Sequence, residues 1–228
     1  MKILAIETAT EACSAALLMD DEIIDRFQIA PREHGHLILP MVDELMAEAG
    51  LALSQLDALA FGRGPGSFTG VRMATGVIQG LAFAADLPVA PVSTIAALAQ
   101  QAVIQHPQQT IYAALDARMG EVYWCQYVVQ DGILLACSEE AVLPPEAVRV
   151  EQGHDAIGIG HGWRTYTKAL TEAVSAEKLT LWVDSLPRAN EVAQLAVNLV
   201  LKGETVAAEN ALPVYLRDNV AKKKAQQK

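Results

Sequence analysis

Apolar and polar positions along the chain fall into short blocks that alternate between two periods. Lys2-Ile3-Leu4-Ala5-Ile6-Glu7-Thr8 is an apolar run closed by an acid and a hydroxyl, and Cys13 to Met19 is a second run. Asp20-Asp21 then turns the chain into Glu22-Ile23-Ile24-Asp25-Arg26-Phe27-Gln28, which predicts three strands with a hairpin between the last two. After Pro31 the spacing changes to that of a helix, predicted from Ile38 to Ala49, with Ile38, Met41, Val42, Leu45 and Ala49 on one face. Leu39 and Met46 widen that face to an arc of ~160°, beyond the roughly 100° that packing on one sheet needs, so a further surface is expected to cover the extra flank.

Asp57 to Phe61 reads as a buried strand, and it runs into Gly62-Arg63-Gly64-Pro65-Gly66-Ser67-Phe68-Thr69-Gly70 before a helix from Val71 to Ala84. Glycines there can take backbone angles that other residues avoid, and Ser67 or Thr69 can cap the helix. N–H groups at a helix start favour an anion, which makes phosphate the first guess. The spacing fits neither familiar phosphate loop, since no Gly-Lys-Ser/Thr follows and the glycines do not fall as G-x-G-x-x-G. We therefore read the segment as a tight structural turn. Within the helix, Gly76 and Gly80 each cost about 1 kcal/mol relative to alanine. Met73, Gly76, Gly80 and Ala84, with Val77 beside them, form a thin stripe that suits another helix backbone at close range.

Leu87 to Val92 follows as a short strand, Thr94 opens an alanine-rich helix, and His106-Pro107-Gln108-Gln109 is a polar break. Beyond it the opening pattern recurs. Ile111 to Asp116 ends in an acid, Met119-Gly120 turns, Val122 to Val129 is a strand, and Asp131-Gly132 leads into Ile133-Leu134-Leu135. Two halves that begin alike predict a duplicated α/β unit with a cleft between the copies, one lobe at 1–106 and a smaller one at 107–228. In the second lobe Ala156 to Ile159 enters the glycine turn Gly160-His161-Gly162, Asn190 to Leu201 is a helix, and Pro213 to Arg217 is extended.

Composition narrows the function classes. With 228 residues, 52% of them apolar, the chain can fill a large core. Arg72, Gln79 and Asp86 interrupt the most apolar helix well short of the ~20 residues a membrane span needs. Glu7 comes too early for a signal-peptide apolar region, and Cys13, Cys125 and Cys137 form no C-x-x-C, which reads as reduced core or near-core thiols of a cytoplasmic protein. A net charge of -10 opposes autonomous binding to a polyanion. The one basic run, Lys222-Lys223-Lys224, is read as a frayed tail.

Among candidate chemistries, His34, His36, His106, His154 and His161 show no helical metal spacing and no H-E-x-x-H, and Ser67 does not sit in a G-x-S-x-G. Glu7 (followed by Thr8) and Asp116 are the better pair, each ending the first strand of its half and expected to face the cleft. Two carboxylates there could hold a magnesium nucleotide or position water, but we favour reading them as turn caps retained from the duplicated unit. Arg118 is the cation beside them, able to pair with Asp116 or meet a phosphate.

The opening ILAIETAT, the helix HGHLILPMVDELM, the block LDALAFGRGPGSFTGVRMATGVIQGLA and LDARMGEVYW resemble the TsaB (YeaZ) family. The likeness covers most of residues 1 to 130. It implies the two-lobed fold of sugar kinases, heat-shock chaperones and actin, with Gly158 to Gly162 echoing the adenosine motif. It also implies a role in making threonylcarbamoyladenosine at position 37 of tRNAs that read codons beginning with A. The implied role is that of a non-catalytic partner of the transferase TsaD, without that enzyme's histidine pair. TsaE would join in a ternary complex, tRNA would be met only through the complex, and ATP and a metal ion would sit on partner subunits rather than here. The expected docking surface combines Ile38, Leu39, Met41, Val42, Leu45 and Met46 with Met73, Gly76, Val77, Gly80 and Ala84. The same surface is expected to form a homodimer when TsaD is absent. The alternative is an ATPase or phosphotransferase using Glu7 and Asp116.

Overall fold

A computed structural model describes residues 1–103, 110–150 and 155–217. The first sheet has the order β3-β2-β1-β4-β5. Its strands are β1 (Lys2–Glu7), β2 (Ala12–Met19), β3 (Glu22–Ile29), β4 (Ala58–Gly62) and β5 (Val89–Val92). β1 is antiparallel to β2 and parallel to β4, which is parallel to β5. Helix α1 (His34–Ala49) connects β3 to β4, α2 (Phe68–Ala85) connects β4 to β5, and α3 (Thr94–Val103) follows β5.

The second sheet repeats the arrangement. It comprises β6 (Thr110–Arg118), β7 (Glu121–Gln130), β8 (Ile133–Ala136), β9 (Ala141–Leu143), β10 (Ala156–Ile159) and β11 (Leu179–Trp182). Read as β8-β7-β6-β10-β11, with β9 added on β7, it matches the first sheet strand for strand. Its helices are α4 (His161–Thr165), α5 (Thr167–Val174) and, after β11, α6 (Ala189–Leu201).

Because side chains alternate along a strand, β1 sends Leu4 and Ile6 to one face and Ile3 and Ala5 to the other. Leu4, Ile6, Leu17, Leu59 and Phe61 pack with Ile38, Val42 and Leu45 of α1 and Ala74, Ile78 and Ala82 of α2. The opposite face, rich in alanine, lies under Ala189, Val192, Ala193 and Ala196 of α6. In the second sheet, Ile111, Ala113 and Leu115 lie under Ile95, Leu98, Ala99 and Ala102 of α3. Tyr112 and Trp124 face Trp163, Leu170 and Val174 of α4 and α5. Each half thus gives its last helix to the other half's sheet, and the two exchanged helices are tied by a Gln100 to Gln194 amide hydrogen bond of 3.1 Å.

The two sheets fall on either side of 106/107, while α3 packs on the second sheet and α6 on the first. Periodicity reports that a helix has an apolar stripe and says nothing about which sheet receives it. The polar break at 106–109 and the basic run at 222–224 lie outside the described residues. Helix α1 begins four residues earlier than predicted, at His34, and carries Pro40 within it. The pattern also did not bring out β9, α5 or β11. Cys13 and Cys125 are buried, whereas Cys137 is exposed rather than near-core.

Candidate functional site

Two features hold the residues singled out by the sequence: the turn from β4 to α2, and a cleft between the lobes. Ser67 caps α2 by accepting the Gly70 N–H at 3.1 Å. The rest of the turn is seated on the end of β1. The Ser67 N–H donates to the Ala9 carbonyl at 2.7 Å, and the Thr8 hydroxyl donates to the Gly70 carbonyl at 2.7 Å. The glycines are what allow this approach. A methyl at Gly62 would overlap the Glu7 carboxylate, one at Gly66 would lie 2.6 Å from the Ala9 carbonyl oxygen, and one at Gly70 would overlap the Thr8 carbonyl. Gly64 adds a positive φ of 98°. The turn is structural, as the spacing argued. Gly70→Ala should therefore lower stability by about 3 kcal/mol, because backbone stands opposite and cannot yield. Chemical denaturation checks this, and an unchanged midpoint would mean that the turn is not seated on β1.

Glu7 does not face the cleft, contrary to the expectation from its place at a strand end. It is fully buried beneath Gly62, where its carboxylate accepts the Ala9 N–H at 2.6 Å and the Thr94 hydroxyl at 2.9 Å. No cation is paired with it among the described residues, and burial pushes its carboxyl up to about 7 against the pull of those hydrogen bonds. Thr8 is likewise fully buried. Glu7 ties β1 to the first residue of α3, so it is part of the joint between the lobes.

The cleft itself has a volume of about 620 Å³ and is lined by the β4–α2 turn, Glu11, Asp116, Arg118, His161 and the segment from Val214 to Arg217. Asp116 accepts the Arg118 N–H at 2.8 Å and pairs with its guanidinium at 3.3 Å, which realises the predicted pairing. The Asp116 N–H donates to His161 Nδ1 at 2.9 Å, leaving Nε2 toward the Glu11 carboxylate 3.9 Å away. Burial holds His161 below its ordinary value, opposed by Glu11 and Asp116. The glycines expected to echo a nucleotide motif serve close packing: Gly158 lies against Trp163, and Gly160 and Gly162 sit on Ala114 of β6.

Extended character was the expectation for residues 213–217; their role as a strap carried no signal in the sequence. The Gln79 amide donates to the Ala211 carbonyl at 3.1 Å, and the Val214 N–H donates to the Arg63 carbonyl at 2.8 Å. Tyr215 lies 5.8 Å from Phe68, over whose ring the Arg72 guanidinium sits at 3.3 Å. Arg217 pairs with Glu121 and donates to the Arg118 carbonyl at 3.3 Å. The strap runs from α2 across the cleft mouth to the second lobe.

The predicted docking residues divide. Ile38, Met41, Val42, Leu45 and Met46 are at most 8% exposed and belong to the first core, so they cannot meet a partner. Their wide arc is filled from within, because α1 packs on both the sheet and α2. Leu39, at 45% exposure, is the one α1 residue of the set left open. On α2, Gly76, Gly80 and Ala84 are exposed and Met73 and Val77 half-buried. Among the described residues, no atom beyond the helix's own neighbouring backbone lies within 4 Å of where a side chain at Gly76 or Gly80 would begin. Phe83, 85% exposed on the same helix, stands three residues after Gly80, a helical spacing that puts it beside the stripe.

A twice-repeated sheet with closing helices exchanged across a cleft defines the two-lobed class of sugar kinases, heat-shock chaperones and actin. The chain is 46% identical to the tRNA threonylcarbamoyladenosine biosynthesis protein TsaB of Escherichia coli, over 98% of both chains. It is 42% identical to TsaB of Haemophilus influenzae, over 98% of this chain and 97% of that one. It belongs to the TsaB (YeaZ) family. The solved structure of YeaZ from Pseudomonas aeruginosa is similar at a TM-score of 0.87 and 48% identity, covering 94% of this chain and 99% of that one. The family model described as TsaD, tRNA N6-adenosine threonylcarbamoyltransferase, matches residues 28–225. No helix among the described residues is long and apolar enough to cross a membrane.

Proposed function

We propose that the chain is a non-catalytic subunit that docks on the TsaD transferase and makes it competent to modify adenosine 37 of tRNAs reading codons that begin with A. Docking uses the open face of α2 together with Leu39. The observation that carries this is the open space over Gly76 and Gly80, with Phe83 exposed on the same helix and Leu39 exposed on α1, which packs against it. Two glycines one turn apart on an exposed helix face lower helix stability for no internal packing gain, and they let a second helix come close enough for dispersion to count. The match of a TsaD family model to residues 28–225 supports a partner of related fold, whose equivalent helices would present a complementary pair. By the same reasoning the face pairs with itself when the partner is absent, giving a two-fold dimer. TsaE joins the assembly, ATP and metal are held by the partner subunits, and tRNA is met through the complex in the cytoplasm.

The use of Glu7 as a structural tie supports a subunit without bond-making chemistry at that position. The purified chain is expected to transfer no threonylcarbamoyl group and cleave no peptide alone, and to restore transfer when mixed with TsaD, TsaE, tRNA and threonylcarbamoyl-AMP. Single-turnover assays with and without the chain measure this. Substantial turnover by the chain alone would sink the proposal.

A further inference from the structure

A second cavity, of about 390 Å³, opens where α3, α6 and the loop after β11 meet, and it shares no lining residue with the interlobe cleft. Its wall is polar: Gln100, Gln101, Trp182, Ser185, Arg188 and Glu191 line it. One Glu191 carboxylate oxygen is shut off from solvent and accepts no hydrogen bond among the described residues. Such a group costs several kcal/mol unless something answers it. The neighbouring cation does not, since the Arg188 guanidinium lies on the Phe27 ring 4.1 Å from its centroid.

The two glutamines are oriented by their own bonds. The Gln101 amide nitrogen donates to the Leu186 carbonyl at 2.6 Å, and that of Gln100 donates to Gln194 at 3.1 Å. Both amides therefore have their carbonyl oxygens left as acceptors. With Glu191, the cavity offers three acceptors, one of them the carboxylate that Arg188, turned onto Phe27, does not answer. We propose that it is a binding site for a small primary ammonium compound, whose three N–H donors match Glu191, Gln100 and Gln101. The volume suits a small organic molecule. Arg188 on the same wall would take a carboxylate if the ammonium belongs to an α-amino acid.

The site has a titration signature. Burial pushes the Glu191 carboxyl up to about 7, with Asp25 of β3 acting in the same direction and Arg188 opposing. An ammonium guest binds the ionised form, so its affinity should rise about tenfold between pH 6 and pH 8, following the ionised fraction.

The test is a titration of the whole chain with methylammonium chloride, glycine, sodium acetate and potassium chloride at constant ionic strength. The readout is the change in tryptophan emission, which reports Trp182 because it lines the cavity and Trp124 and Trp163 do not. Saturable changes are expected with methylammonium and glycine and not with acetate or potassium. Tighter binding of glycine identifies an amino acid as the guest, and equal binding identifies a simple amine. Glu191→Gln keeps the shape and should weaken binding at least tenfold while thermal melts show the fold intact. The pH profile of the unaltered chain provides a second readout that needs no variant. No saturation with either ammonium compound, an equal response to potassium, or a pH-independent affinity would overturn the proposal.

Discussion

Leucine at Gly80, or at Gly76, is expected to leave the chain folded and to weaken both self-association and TsaD binding about a hundredfold. The expected melting temperature is equal or higher, because open space lies over both positions and an exposed helical glycine gains roughly 1 kcal/mol on replacement. At a close helix contact the same side chain overpacks, at a cost of about 3 kcal/mol, which is the hundredfold. Sedimentation with and without TsaD, beside thermal melts, separates the outcomes. A folded, monomeric, non-binding variant supports the docking face, and full retention of both associations places the contact elsewhere.

The second large effect is a dependence of stability on pH that runs opposite to that of a salt-bridged carboxylate. The folded value of Glu7 is raised to about 7 from an ordinary value of 4.5, so between these limits the folded chain holds a proton that the unfolded chain releases. Stability contributed by that proton is fully present below pH 4.5, is lost as pH rises toward 7, and stays lost above it. The loss amounts to roughly 3 kcal/mol. Glu191 acts in the same direction over the same window, with less effect because it is only partly buried. Glu7→Gln should keep the bond accepted from the Ala9 N–H and reverse the one with Thr94, whose hydroxyl would accept from the new amide nitrogen; it should exceed the unaltered chain in stability at pH 8 and remove the larger part of the slope. Denaturant midpoints from pH 5 to pH 8 measure this; a slope that persists in Glu7→Gln would mean that the carboxyl is not sealed as described.

The strands and the β4–α2 turn were legible because each depends on local signals: apolar runs, turn residues and a cluster of glycines. Glu7 shows where such signals stop. An acid at the end of a buried strand reads the same whether it faces a cleft or lies under the next turn, and what decides is Gly62, 55 residues later, whose missing side chain makes room for the carboxylate. The docking face was half legible. The stripe at Gly76 and Gly80 followed from helical spacing, but Ile38, Val42 and Leu45 carry the same apolar signal whether they meet a partner or the chain's own sheet. The small cavity beside Glu191 had no local signal, since Gln100 and Glu191 lie on helices that only the exchange between lobes brings together.

That exchange also sets the order in which the protein can be completed on the ribosome. The first sheet is made early, yet one of its two faces, bearing Ile3, Ala5, Ala16, Ala58 and Ala60, stays bare until residues 189–201 have emerged. The first half can therefore be finished only when synthesis is nearly over, whereas the second sheet finds its α3 wall already made. A nascent chain of this design exposes an apolar sheet face for most of its translation, and a gene cut at the boundary between the repeats would yield two fragments that each lack a wall.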